Sequence, residues 1–306
     1  MNETKDSTIF SEPEQRLAET LDGDAAAHLA AREYAKAAEN YRQALKIRQK
    51  LAVDEPEAFA PELAKNCADL AFAYEALQQN AEAEKYYRRA MSVYEQLMLQ
   101  KPRTYALDFA DVQSDLAVLY QQTARGDEAE ELFLQALAIY EKLAKNQPSV
   151  LAEKQAFSGK RLADLYMDTE RAVLAEPHYL SALMYYERLA AQEPLSFEFA
   201  LADVCFRYAL CCCCLEKDED AMAALEKARF IYAKNIAEDA CSQAQATLVA
   251  QEIDKLKNKS APPKAPQMLP EGSWEDEWEK DLEAEDVFGK RFGSLVERLR
   301  DRFKRE

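Results

Sequence analysis

Residues 83–102 read AEKYYRRAMSVYEQLMLQKP, and the same pattern returns one period later at residues 129–148 as AEELFLQALAIYEKLAKNQP. It stands one period earlier at residues 37–56, AAENYRQALKIRQKLAVDEP, and two periods later at residues 175–194, AEPHYLSALMYYERLAAQEP. The period is 46 residues, and Pro56, Pro102, Pro148 and Pro194 keep it. A fifth, weaker copy begins at Ala221 and lacks the proline. Repetition of the same hydrophobic positions predicts an elongated array of like units in place of one central core.

Each unit reads as two helices. The first carries Leu70, Leu116 and Leu162, beside Ala25, Ala71, Ala117, Ala163 and Ala209. Three residues on stand Tyr74, Tyr120 and Tyr166, with His28 and Cys212 in the outer units. Spacings of three and four place these side chains on one helix face. The second helix opens on Ala37, Ala83, Ala129, Ala175 and Ala221 and continues with Tyr41, Tyr87, Phe133, Tyr179 and Leu225, then Ala44, Ala90, Ala136, Ala182 and Ala228. Alanines allow close helix approach, and rings fill the space between. The prolines are expected to end the second helix, because the residue before a proline is pushed out of the α region. Asp22, Gly23 and Asp24 are expected to weaken the first helix locally.

The pattern Leu-Ala-x2-Tyr followed by Ala-x3-Tyr-x2-Ala resembles the tetratricopeptide repeat, and Leu116, Ala117, Tyr120, Ala129, Phe133, Ala136 and Pro148 match its consensus in order. Two departures stand out. Cys67, Gln113, Gly159 and Cys205 occupy the consensus tryptophan position, and each unit is about 12 residues longer than the usual 34. Long-period arrays of this kind look like those of bacterial proteins and, distantly, kinesin light chain repeats. The resemblance implies an all-α fold, an α-α superhelix of antiparallel pairs whose first helices line a concave groove. It also implies a protein or peptide as partner.

The expected organisation is a disordered start at residues 1–10, a solenoid of about five helix pairs at 11–258 closed by a terminal helix over Glu238–Lys257, a proline-rich linker at 259–273 and a charged tail at 274–306. The tail is acidic first and basic later. Trp274 and Trp278, the only tryptophans, are four apart, and Phe288, Phe292, Leu295, Val296, Leu299 and Phe303 have the spacing of an amphipathic helix. Three occupancies compete for it: the chain's own groove, another protein, or an anionic membrane surface.

The net charge of −17 argues against nucleic acid as a partner. Seven cysteines, four of them contiguous at Cys211–Cys214, do not suit a disulfide framework, and a reducing cytoplasm is expected. Four consecutive helical residues point around the axis, so this run is read as small packing residues and not as a metal site. His28 and His178 lie in different units without an arranged acid or nucleophile, and no phosphate loop or nucleophile elbow is present. No catalytic residue, cofactor or metal is therefore expected.

The most informative column lies one residue before the leucine of each first helix: Asp69, Asp115, Arg161 and Arg207. Lys160 adds to its basic end, and Phe72 lies three residues beyond Asp69. Under the resemblance these six residues line the groove, acidic toward the N-terminal end and basic toward the other. That suits an extended or helical segment of matching charge. A non-enzymatic scaffold or adaptor is the expected function. The alternative is a peptide-responsive regulator whose tail fills the groove until displaced.

Overall fold

The computed structural model describes residues 11–145, 148–235 and 240–260. Its helices are α1 Ser11–Ala30, α2 Tyr34–Asp54, α3 Pro56–Ala76, α4 Asn80–Gln100, α5 Pro102–Gln122, α6 Gly126–Ala144, α7 Pro148–Asp168, α8 Ala172–Gln192, α9 Pro194–Cys214, α10 Asp218–Asn235 and α11 Ala240–Ser260. Among the described residues there is no strand. The chain divides into two compact units, Met1–Val249 and Ala250–Glu306, with the division inside α11. The N-terminal residues 1–10, the linker beyond Ser260 and the tail with Trp274, Trp278, Phe288, Phe292, Leu295, Leu299 and Phe303 lie outside the described residues. α11 covers Ala240–Ser260, so Glu238 and Asp239 of the expected terminal helix lie outside the described residues, and its last two residues, Lys259 and Ser260, fall in the expected linker.

In the first unit every helix from α1 to α10 packs on its neighbour in sequence, and the odd helices also meet in series, α3 with α5, α5 with α7 and α7 with α9. The odd helices thus form an inner row and the even helices an outer one. Burial follows the columns read from the sequence. Leu70, Leu116 and Leu162, the alanines Ala71, Ala117, Ala163 and Ala209, and the rings Tyr87, Phe133 and Tyr179 are all buried, as are Ala90, Ala136 and Ala182. A second aromatic column at the same period, Tyr94, Tyr140, Tyr186 and Tyr232, is buried too.

The prolines do more than end a helix. Pro56, Pro102 and Pro194 each stand in the first turn of the following helix, and α7 likewise begins at Pro148. The missing N–H costs nothing there and the fixed φ is already helical. Only Glu55, Lys101 and Glu193 separate the helices concerned, each near φ −133° and ψ 70–77°. At these three junctions the connection between units is therefore one extended residue, and successive helices fold sharply over it.

Within each unit the turn is also periodic. Arg32, Gln78, Ala124, Glu170 and Glu216 have φ of 58–60°. The next residue's N–H reaches back to the carbonyl of His28, Tyr74, Tyr120, Tyr166 or Cys212 at 2.7–2.9 Å. The left-handed residue itself donates to the carbonyl of Leu29, Glu75, Gln121, Met167 or Cys213. This pair of bonds is a Schellman cap, and it satisfies carbonyls that a helix end leaves without partners. None of the five positions is glycine, the residue that adopts this conformation at least cost.

The expected weakening of α1 at Asp22–Asp24 does not break it. Asp22 lies in a continuous helix, and its carboxylate accepts from the guanidinium of Arg48 on α2 and from Asn66 Nδ2 on α3 at 2.9 Å. A poor helix former is retained because it ties three helices together.

Candidate functional site

The inner row carries the residues expected to line a groove. Asp69 and Phe72 lie on α3, Asp115 on α5, Lys160 and Arg161 on α7, and Arg207 on α9. Phe72 is 52% exposed. The two ends of the row differ in how their charges are partnered.

At the N-terminal end carboxylates gather. Asp115 is open to water, yet the surrounding inner helices limit its hydration and Asp111, Glu75 and Asp69 add like charge. Its carboxyl is pushed up to about 7. Reduced hydration, opposed by Lys65 and reinforced by Asp22, pushes Asp69 up to about 6. Glu75 and Asp108 are raised for the same first cause, loss of hydration. Several of these groups are held in place. Tyr87 Oη donates to Glu75 Oε2 at 3.0 Å and Gln122 Nε2 to Glu75 Oε1 at 2.9 Å. Tyr140 Oη donates to Asp111 Oδ1 at 2.8 Å, and Lys154 Nζ lies 2.7 Å from Asp111 Oδ2. The outer helices thus present tyrosine hydroxyls that orient acids on the inner ones.

At the other end the structure differs from the expected excess of positive charge. Lys160 Nζ lies 2.5 Å from Asp203 Oδ2. Arg207 Nε contacts Asp203 Oδ1 at 2.9 Å, and its Nη1 contacts Asp164 Oδ1 at 3.2 Å. Tyr179 Oη also donates to Asp164 Oδ1 at 2.7 Å. Loss of hydration alone would raise Asp203, but Lys160 and Arg207 hold it below its ordinary range. Two cations, Lys160 and Arg207, therefore face two anions, Asp164 and Asp203, while the charge of Arg161 acts on Glu75. The row runs from acidic to nearly balanced.

Sequence reasoning missed Glu75, Asp111 and Asp203. Asp203 was within reach, since it lies four residues before Arg207 on one helix face. Asp111 was within reach for the same reason, four residues before Asp115 on α5. Glu75 gives no such signal, because only the stacking of α3 on α5 places it beside Asp115.

Cys205, Cys211 and Cys212 are buried, and Cys213 and Cys214 are partly so. Burial pushes the Cys211 thiol up to about 12, and its Sγ donates to the carbonyl of Ala172 at 3.3 Å. Among the described residues no group of three or more His, Cys, Asp or Glu is placed to hold a metal ion. No helix among them is long and apolar enough to cross a membrane.

The family profile of the tetratricopeptide repeat matches residues 67–99 and 109–148. No curated protein matches the chain significantly. Among solved structures, a Podosopora anserina putative kinesin light chain with nearly identical TPR-like repeats is 21% identical, with 72% of this chain and 97% of that one covered at a TM-score of 0.50. The apo form of RapI is 17% identical, covering 78% of this chain and 61% of that one at a TM-score of 0.59. The apo form of the quorum sensor NprR from B. thuringiensis is 16% identical, covering 77% of this chain and 58% of that one at a TM-score of 0.54. At these identities the likeness is one of fold. With the 46-residue columns, the helix pairs and the matched profile in agreement, the chain carries tetratricopeptide repeats at residues 67–99 and 109–148 within an all-α solenoid of similar helix pairs.

Proposed function

We propose that the chain is a non-enzymatic adaptor that binds a protein segment along its inner row, and that the segment presents Lys or Arg to α3 and α5. The observation that carries this is the gathering of Asp69, Glu75, Asp111 and Asp115, with the carboxyl groups of Asp69, Glu75 and Asp115 raised. Carboxylates crowded in a groove repel one another, and an arriving cation relieves that repulsion. The family's common role as an interaction fold supports the same reading. Phe72, exposed one turn beyond Asp69, offers an apolar contact beside the charges.

The test is fluorescence anisotropy with labelled peptides of matched length, one lysine-rich and one glutamate-rich. The lysine-rich peptide should bind, and the affinity should fall as salt screens the charges. The double change Asp69→Asn with Asp115→Asn should weaken it by about tenfold or more. Equal binding of both peptides, or unchanged affinity in the double variant, overturns the proposal.

A second reading, a regulator that responds to a peptide, is favoured by the likeness in fold to NprR, which is described as a quorum sensor. It differs from the adaptor in requiring a change of shape on binding. Small-angle scattering of the chain with and without the lysine-rich peptide separates the two.

A further inference from the structure

The consensus tryptophan position offers a second site on a different face. Gly159 of α7 stands there with no side chain and is buried. One repeat earlier the same position holds Gln113, buried and donating to Gln135 Oε1 at 2.6 Å. Where Gln113 fills the space, Gly159 leaves a cleft of about 250 Å³. Its walls are Leu134, Leu137 and Ala138 of α6 and Tyr185 of α8, with Gln155 of α7 among the polar groups that line it. The cleft lies between the outer helices α6 and α8. The residues of α7 expected in the groove, Lys160 and Arg161, do not line it.

Two features give the cleft a ligand chemistry. Gln155 is 4% exposed, and its Oε1 has no hydrogen-bond partner among the described residues. A buried acceptor without a donor is costly, and it selects a ligand that brings one. Glu141 at the same wall adds an acceptor and disfavours an anion. The outer surface also changes character here. Leu134 and Leu180 are 43% and 46% exposed where the earlier repeats hold Arg42 and Arg88. Met184 and Phe230 are 50% and 73% exposed where the earlier repeats hold Lys46 and Ser92. Apolar residues exposed together on one face mark a contact surface.

We propose that this cleft receives a tryptophan side chain from a protein partner. The indole ring packs against Leu134, Leu137 and Tyr185, and its N–H donates to Gln155 Oε1. Among apolar side chains only tryptophan combines a large ring with an obligate donor and no acceptor. The volume is below the roughly 300–1,000 Å³ of pockets for drug-sized ligands, and it suits a single anchoring ring. Aromatic anchors in desolvated pockets are the usual centres of protein interfaces. The flanking Leu180 and Met184 would meet apolar residues beside the inserted ring. This site is independent of the acidic row, and either can fail without the other.

The experiment titrates the full chain with indole, with N-acetyl-tryptophanamide and with benzothiophene, which has the ring shape but no N–H, by ligand-observed NMR. Indole and N-acetyl-tryptophanamide should bind in the millimolar range or tighter, and benzothiophene should bind about two- to tenfold more weakly for want of one hydrogen bond. Gly159→Gln copies the arrangement of Gln113, with Ser181 standing where Gln135 does, and should abolish binding while the circular dichroism melt is retained. Gln155→Leu should remove the preference for indole over benzothiophene. No binding by the unaltered chain, or unchanged binding in Gly159→Gln, overturns the site. Binding of indole without N-acetyl-tryptophanamide overturns the protein anchor and assigns the cleft to a free aromatic molecule.

Discussion

Arg125 in the turn of one repeat is bound to Glu84 of the repeat before, Nη1 to Oε2 at 2.7 Å, while its guanidinium lies 3.9 Å from the centre of the Tyr120 ring. Tyr120 Oη donates to the same glutamate at 3.0 Å. The arrangement repeats after 46 residues. Arg171 meets Glu130 at 2.8 Å and lies over Tyr166, whose hydroxyl donates to Glu130. Lys217 meets Glu176 at 2.5 Å one unit further on. These clasps join neighbouring repeats, and a solenoid depends on such neighbour contacts alone.

A single exposed ion pair contributes about 0–1 kcal/mol, but here the cation, the ring and the carboxylate share partners. Arg125→Ala should therefore lower the midpoint of urea unfolding. A double-mutant cycle with Glu84→Ala should show a favourable coupling between the two residues. Strict additivity would show that the clasp is ornamental to stability.

The left-handed turn residues predict gains. An L-residue at positive φ costs roughly 1–2 kcal/mol, offset in part by the greater freedom of glycine in the unfolded chain. Ala124, at φ 60°, should tolerate glycine with a gain of up to about 1 kcal/mol. Ala124→Val should lose stability, since a branched side chain suits that conformation least. Calorimetric melting of both variants checks the order.

Ala136 is fully buried against Ala110, Tyr140 and Leu151. Ala136→Leu forces extra methylenes into that contact and should cost about 1–3 kcal/mol. An unaltered melting temperature would place the packing face elsewhere on α6.

Arg207 contacts both Asp164, which is buried, and Asp203. Arg207→Ala leaves the Asp164 carboxylate with only Tyr179 from this set and should cost about 2 kcal/mol, less than for a fully buried pair because Arg207 itself reaches water. Arg161→Ala should be milder. Urea titration of the two variants gives the comparison.

The acidic row makes stability depend on pH. Asp69 and Asp115, pushed up to about 6 and about 7, keep protons in the folded chain where an unfolded aspartate, near about 3.9, has lost them. The folded state binds more protons in that window, so their contribution is fully present below about pH 4 and is lost as pH rises through 6 and 7. Asp115→Asn should match the unaltered chain near pH 4 and exceed it at pH 8 by a few tenths to about 1 kcal/mol, since water screens the exposed group. Binding of the lysine-rich peptide should strengthen over the same rise, as both groups ionise. Stability curves at pH 4, 6 and 8 with peptide titrations test both signs.

The sequence by itself determined the architecture. A 46-residue spacing of Leu, Ala and aromatic positions leaves each unit with apolar faces that only a neighbouring copy can cover, and the prolines fix where one pair ends and the next begins. It also marked Asp69, Asp115, Arg161 and Arg207 as candidates, because a column at the repeat period must lie along one face, with Phe72 and Lys160 beside that column. The tertiary structure decided what those charges do. Lys160 and Arg207 pair with Asp203 and Asp164, and Asp115 gathers beside Glu75 and Asp111. Most of these pairings join residues 40 or so apart, on helices that touch only once the stack exists, and their geometry depends on ångström-scale distances that no spacing rule carries. The cleft at Gly159 shows the same limit. The sequence names the missing side chain, and only the packing of α6 and α8 leaves its place open.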